Sequence, residues 1–182
     1  AVRFKCDMDD NKGKYILTGS SVPVQDKISH SGAGRICKMN MYTMSLYESG
    51  DSTGEVSLSD LIENKVESKL VKKTDFKRLA ELIVRGGWPE VIKMSAEDAS
   101  LIAKSYVNDV LDKDINSIDG INRNREKMSM LLKSLARNES TISTNNILIK
   151  DIADDTTNES LEISRNTVTD YLDVLEKLHL IN

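Results

Sequence analysis

A short polar turn at residues 18–21 is the first place where side chains could act on a ligand. It follows the apolar run 15–17, which is typical of a buried strand entering a loop. In open α/β sheets, ligands bind just beyond the carboxyl ends of such strands, so we expect Thr18 and Ser20 at the edge of a site. Short hydroxyl side chains there can orient a water or contact a phosphate oxygen. The alternative is that the turn only redirects the chain.

A second candidate segment is the sequence Gly-Gly-Trp-Pro at residues 86–89. The glycines allow a backbone to come close to a ligand, and Pro89 fixes the turn after Trp88. The alternative is a helix stop, followed by a helix that begins at Pro89 and has Trp88 in the core. The two interpretations are compatible.

A third candidate is the start of the last predicted helix, where a helix-turn-helix unit presents side chains to DNA. Arg165, Asn166 and Thr167 occupy this position. Acidic residues lie on both sides and would repel phosphates: Asp151, Asp154, Asp155, Asp170, Asp173 and Glu176. A role in packing or protein contact is therefore favoured over DNA contact.

Composition limits the classes of protein that need to be considered. The 182 residues are 39% hydrophobic and 30% charged with a net charge of −4, which is typical of a soluble globular protein and gives no support to a basic nucleic-acid binder. Cys6, Cys37, His30 and His179 provide no metal-ligand spacing, so we expect no metal site. No apolar run is long enough to span a bilayer. Two free thiols favour a reducing, cytoplasmic location.

Two strands and a short helix are predicted before residue 74. The strand candidates are residues 15–20 and residues 36–44, and Ser57 is expected to cap a helix that contains Leu58, Leu61 and Ile62.

From residue 74 onward, apolar residues recur at helical spacing. A helix with Thr74 as its N-cap candidate is predicted to stop at Gly86, and a second covers residues 96–112. The polar segment 114–125 is the expected domain boundary. Three shorter helices follow, with apolar stripes within residues 128–135, 149–153 and 168–178. The last begins after Ser164, and Asn166 and Thr167 are also available as its caps. Their order is typical of a helix-turn-helix or winged-helix unit.

Five short strings, taken in order, resemble AAA-type ATP-binding proteins that carry a C-terminal domain of unknown function and are related to archaeal and STAND-like P-loop ATPases. The resemblance covers nearly the whole chain. The strings are Tyr-Ile-Leu-Thr-Gly-Ser-Ser at 15–21, Ser-Gly-Ala-Gly-Arg at 31–35, Met-Ser-Leu-Tyr-Glu-Ser-Gly at 44–50, Arg-Gly-Gly-Trp-Pro-Glu at 85–90 and Leu-Ala-Arg-Asn at 135–138.

The resemblance implies a fold class and a division of the chain. Residues 1–70 are expected to be an α/β remnant of a P-loop AAA core, with a sensor 1 strand and the strand after it. Residues 71–118 are expected to form a mostly α lid, and residues 119–182 a winged-helix-like C-terminal domain, so that the whole is mainly α. The phosphate-binding loop and the Mg²⁺-binding acidic strand of that family have no match in this sequence. The chain is therefore expected to be an internal piece of a longer protein.

The resemblance also implies roles for single residues. Thr18 and Ser20 match the sensor 1 position. Arg35 is the best candidate for the arginine that neutralises the transferring phosphoryl group, with Arg85 as a second choice and a salt-bridged surface arginine as the alternative. Gly87, Trp88 and Pro89 match a lid motif that packs near the nucleotide base.

Two functions follow as hypotheses. In the first, the chain belongs to an ATP-binding ATPase or nucleotide-driven switch whose longer form uses ATP and Mg²⁺, while the chain alone holds no cofactor and is inactive. Self-association through apolar faces that the missing part would cover is expected. In the second, the chain is a non-enzymatic winged-helix module that binds DNA or protein. A hydrolase based on His30 with Ser29 or Ser31 lacks a positioned acid partner.

Overall fold

The computed structural model describes residues 2–8, 13–19, 36–37, 39–67, 74–156 and 159–181. All regular secondary structure in these residues is helical, which confirms the prediction of a mainly α protein. In chain order the helices are α1 (Val2–Asp7), α2 (Leu58–Ile62), α3 (Phe76–Arg85), α4 (Ala96–Asp109), α5 (Ile115–Ser117), α6 (Arg125–Arg137), α7 (Asn145–Asp155) and α8 (Arg165–Lys177). Single 3₁₀ turns at Pro89–Val91 and Glu159–Leu161 and a π-helical turn at Val110–Asp114 complete the set.

The two predicted strands are wrong within the described residues. Residues 13–19 and 39–45 have no regular secondary structure. Ile16 is 90% exposed and Met41 is 95% exposed, so neither run has the apolar cover that a buried strand requires. A strand also needs a neighbour to accept its backbone hydrogen bonds, and no described segment pairs with either run in this way.

Helix starts follow the capping rules closely. Ser57 and Ser164 cap α2 and α8 as predicted, and each hydroxyl accepts a hydrogen bond from a backbone N–H in the first turn. The prediction of Thr74 for α3 is wrong by one residue. The Asp75 carboxylate takes this role at 2.6 Å from the backbone nitrogen of Arg78. The charged side chain also interacts favourably with the positive end of the helix.

The chain divides into two compact units. Residues 38–107 form one, called the central unit here, and residues 1–37 with 108–182 form the other, called the terminal unit. The sequence-based boundaries at residues 70 and 118 describe a different division, into core, lid and tail, and they stay predictions.

The terminal unit has a well-packed apolar core. Helix α7 packs against both α6 and α8, and the turn at Val110–Asp114 contacts α6. The most completely buried hydrophobic side chains come from the π-helical turn and from α5, α6, α7 and α8: Val110, Ile115, Met128, Leu131, Ile152, Val168, Val174 and Leu175. Burial of this many aliphatic side chains, each contributing roughly 1.5–3 kcal/mol, is the main source of the unit's stability.

One charged side chain lies at the edge of this core. The Arg123 side chain is only 1% exposed and donates to the Asp119 carboxylate at 2.7 Å and to the Asp170 carboxylate at 3.0 Å. It also donates to the Ile115 carbonyl at 2.8 Å. Arg123 therefore ties the segment before α6 to α8, and its charge is fully compensated.

We predict that Arg123→Ala lowers the free energy of unfolding by roughly 2–3 kcal/mol, because two carboxylates and a buried carbonyl lose their donor. Urea unfolding followed by circular dichroism measures the loss.

The matched control is Arg125→Ala, two residues away. Arg125 bonds Asp112 and Asn108 across the surface, so its loss should cost no more than about 1 kcal/mol. Equal losses in the two variants would contradict the structural role given to Arg123.

Candidate functional site

The bend between α3 and the turn at Pro89 lies in the central unit and contains the predicted lid motif. Helix α3 ends at Arg85 with Gly86 as its C-cap, and the Gly86 φ of 71° lies in the positive region that glycine adopts without strain. Pro89 then opens a 3₁₀ turn, as its fixed φ favours. The predicted combination of a glycine stop and a proline start is confirmed.

Gly87 packs against the backbone of the loop that precedes α2. Its carbonyl accepts a hydrogen bond from the Met44 N–H at 2.8 Å. A Cβ atom at position 87 would lie 2.5 Å from the Met44 carbonyl oxygen, which is too close for any side chain. Glycine is therefore required here for close approach between two backbones of the same chain.

Trp88 contacts Tyr106 of α4 in an edge-to-face arrangement, with ring centroids 4.7 Å apart and ring planes at 80°. Trp88 is half-buried, and Pro89 beside it is exposed. The indole thus fixes the bend onto α4 while the proline remains on the surface.

Arg85, the last residue of α3, is the buried charge of the central unit. Its side chain is 8% exposed, and its Nη2 donates to the Asp51 carboxylate at 2.7 Å. The Ser49 hydroxyl lies 3.4 Å from the same nitrogen and 2.8 Å from the Asp51 carboxylate. The other Asp51 oxygen accepts from Arg78 Nη2 at 2.7 Å. Two guanidinium groups therefore share one carboxylate.

The pKa of Asp51 reflects this arrangement. Hydrogen bonds from Arg85 and then Ser49 lower it from an ordinary 3.8 to about 2, and Arg78 adds to the effect. The carboxylate is ionised at any pH near neutrality and holds the loop at residues 49–51 against α3. Arg85 is therefore paired with Asp51 in this structure.

The remaining residues of the predicted catalytic set give no site geometry. Thr18 is exposed and lies in a segment without regular structure. Ser20 and Arg35 lie outside the described residues. Thr18 belongs to the terminal unit and Gly87 to the central unit, so the expectation that they border one pocket stays a prediction.

The predicted nucleic-acid residues are at the start of α8. Arg165 and Asn166 are exposed, whereas Thr167 is half-buried and its N–H donates to the capping Ser164 hydroxyl at 3.2 Å. Among the acids expected to repel DNA, Asp170 is paired with Arg123, whereas Asp173 is exposed.

Two negative findings apply to the residues that the structure covers. They contain no group of three or more His, Cys, Asp or Glu side chains placed to hold a metal ion. None of their helices is long and apolar enough to cross a membrane.

Sequence reasoning missed Asp51. It lies in a glycine-flanked turn and its partner Arg85 is 34 residues away, so spacing along the chain gives no signal of the pair. The available clue was the chemistry of Arg85, which ends an amphipathic helix just before Gly86 and Gly87. If this arginine is buried, its charge requires a carboxylate partner somewhere in the chain.

Comparison with known proteins identifies one family. The sequence model described as "Domain of unknown function (DUF8612)" matches residues 76–182, from the first residue of α3 to the end of the chain. No curated protein and no solved structure matches the chain.

We predict that Gly87→Ala lowers the free energy of unfolding by roughly 1–3 kcal/mol, because the new methyl group must push the Met44 backbone away. Hydrogen exchange at the Met44 amide should accelerate, since its acceptor is the Gly87 carbonyl.

Gly86→Ala is the matched control. A Cβ at position 86 meets no atom within 4 Å, so the variant has no clash with the Met44 backbone. Its φ of 71° with a ψ of −166° is a conformation that essentially only glycine adopts, so Gly86→Ala should also cost roughly 1–3 kcal/mol. The Met44 amide should nevertheless keep its protection, so exchange at Met44 distinguishes the two variants. Unchanged Met44 exchange in Gly87→Ala would rule out the close contact.

Proposed function

The chain belongs to the family described as "Domain of unknown function (DUF8612)", and on that premise we propose that it forms the lid and C-terminal part of an AAA-type, nucleotide-driven switch. In this proposal the chain alone neither binds ATP tightly nor hydrolyses it. The longer protein supplies the phosphate-binding loop, and ATP with Mg²⁺ binds there.

The observation that carries the proposal is the contact between two of the strings that underlie the resemblance. The string at 44–50 and the string at 85–90 lie far apart in sequence. They meet through the Met44–Gly87 backbone hydrogen bond and through Ser49 beside Arg85. Both strings belong to the set that resembles the AAA-type family. Their contact in the structure supports the interpretation that they are parts of one structural unit of that family.

The mechanical character of the bend also supports a lid. Three interactions hold it in place. They are the Asp51–Arg85 ion pair, the Met44–Gly87 backbone hydrogen bond and the Tyr106–Trp88 ring contact. Its exposed residues are Gly86 and Pro89. Because the bend is already ordered and part of its backbone is exposed, it could contact a nucleotide base with little loss of conformational entropy on binding.

The proposal assigns no chemistry to residues of this chain. The sequence holds no Gly-x-x-x-x-Gly-Lys-Ser/Thr loop, and Arg85 is engaged with Asp51. In the longer protein, the γ-phosphate of ATP would favour one of two positions of the lid relative to the core. This chain, as the lid and C-terminal part, would change position when ATP binds or is hydrolysed.

For helices α6, α7 and α8 we propose a helix-turn-helix or winged-helix unit that contacts protein rather than DNA. Arg165 and Asn166 are exposed at the start of α8, but Asp154 and Asp173 are exposed on the two last helices and would oppose a phosphate backbone. Salt-sensitive binding of duplex DNA that Arg165→Glu abolishes would contradict this.

The central unit supports the expectation of self-association for the isolated chain. On α3, Phe76 is 87% exposed, Ile83 is 73% exposed and Leu79 is 45% exposed, all on one face. Such stripes normally pack against another surface. In the proposal the nucleotide-binding core covers this face in the longer protein.

We predict that a labelled ATP analogue binds the purified chain with an affinity weaker than micromolar, because the sequence holds no phosphate-binding loop. In the complete gene product, ATP with Mg²⁺ should bind and change the fluorescence of Trp88, the single tryptophan of this chain.

Comparison with Trp88→Phe assigns the fluorescence change to the bend. Sub-micromolar binding by the chain alone, or a complete gene product that does not respond to ATP, would overturn the proposed function.

A further inference from the structure

The groups around the Asp51 carboxylate resemble an anion-binding site in which Asp51 takes the place of the anion. The Asp51 carboxylate accepts from Arg78 Nη2 at 2.7 Å, from Arg85 Nη2 at 2.7 Å and from the Ser49 hydroxyl at 2.8 Å. Two guanidinium groups and a hydroxyl converging on one anionic group are the donors that bind phosphate oxygens elsewhere in proteins.

The two arginines differ in exposure, which gives the cluster an open side. The Arg85 side chain is 8% exposed and the Arg78 side chain is 48% exposed, while that of Asp51 is 13% exposed. Arg78 also contacts Glu81 at 3.3 Å. An anion from solution can therefore reach the cluster beside Arg78 and meet Arg85 once Asp51 moves away.

The charges of the four groups balance. Arg78 and Arg85 contribute two positive charges, and Asp51 and Glu81 contribute two negative charges. Asp51 lies in a turn of the same chain, so it competes with any free anion at a high effective concentration. An anion with several negative charges gains more from two guanidinium groups than one carboxylate does, which makes exchange feasible.

The cluster is directly connected to the bend. Arg85 precedes Gly86, and its Nε lies 3.4 Å from the Gly86 carbonyl oxygen. The loop that carries Asp51 also carries Met44, whose N–H bonds Gly87. Release of Asp51 would free this loop and remove one of the three contacts that hold the bend.

We propose that Arg78 and Arg85 form a binding site for a polyphosphate anion, which Asp51 occupies when no anion is bound. Exchange of Asp51 for the anion would release the loop at residues 49–51 from Arg85, while the Met44–Gly87 and Trp88–Tyr106 contacts still hold the bend. The anion site is a property of these side chains, and only its identification with the phosphates of a nucleotide rests on the proposed function.

The test uses inorganic pyrophosphate and the purified chain, with binding measured by calorimetry at constant ionic strength. Asp51→Asn keeps the shape of the side chain and removes the competing charge. Its affinity for pyrophosphate should exceed that of the unmodified chain at least about tenfold, equivalent to about 1.4 kcal/mol. Adding Arg85→Gln to Asp51→Asn should abolish the gain.

Glu81→Gln is the matched control, since it makes the same change in net charge beside the same Arg78 and leaves the Arg85–Asp51 pair intact. Its affinity should change by less than about twofold, because an exposed pair contributes little. An increase in Asp51→Asn no larger than in Glu81→Gln would overturn the proposal.

A measurement on the unmodified chain decides the question if Asp51→Asn does not fold. Pyrophosphate at high concentration should shift the guanidinium NMR signals of Arg78 and Arg85 and change Trp88 fluorescence, with chloride at equal ionic strength as the reference. Absence of these shifts would refute the site. A complete gene product that fails to bind ATP would refute the proposed function but not this exchange.

Discussion

The compensation of one buried positive charge organises the central unit. Arg85 is removed from water at the end of α3, and an uncompensated guanidinium in that position would cost several kcal/mol. Asp51 provides the compensation, so the loop that carries it must lie against α3. That placement brings Met44 to Gly87, where only glycine leaves room for two backbones. The bend at residues 86–89 thus follows from an ion pair whose partners lie 34 residues apart.

The two units are stabilised in different ways. The terminal unit buries aliphatic side chains from the turn at Val110–Asp114 through α8, and its buried Arg123 is satisfied at the edge of that core. Among the described residues of the central unit, the buried hydrophobic side chains are only Val91 and Ala99. Hydrogen bonds and ion pairs hold its loop against α3 and the bend, and the aromatic contact between Trp88 and Tyr106 links the bend to α4. A unit of this kind leaves apolar side chains such as Phe76 exposed, and the proposed function accounts for them as a face that a nucleotide-binding core would cover.

Sequence alone was informative wherever the determining contacts are local. The helices after residue 74 were predictable because apolar spacing, the Ser164 cap and the Gly86 stop all act within a few residues. The Ser57 cap of α2 was predictable for the same reason. The choice between Thr74 and Asp75 as a cap was not settled by residue type, since both can accept the N–H bond. The strands at residues 15–20 and 36–44 failed because a strand is stabilised by a partner elsewhere in the chain. Asp51 was missed for the same reason, and the prediction of Gly87 as a ligand-facing glycine did not foresee that the chain's own backbone approaches it.

The central claim is that Asp51 and Arg85 act on each other and through that pairing hold the bend. A double-mutant cycle with Asp51→Asn, Arg85→Gln and the double variant tests it directly, with unfolding in urea followed by Trp88 fluorescence. We expect a coupling free energy of at least about 1 kcal/mol, with the double variant more stable than the sum of the single losses implies. Losses that add to within about 0.5 kcal/mol would contradict it, because independent sites behave in that way.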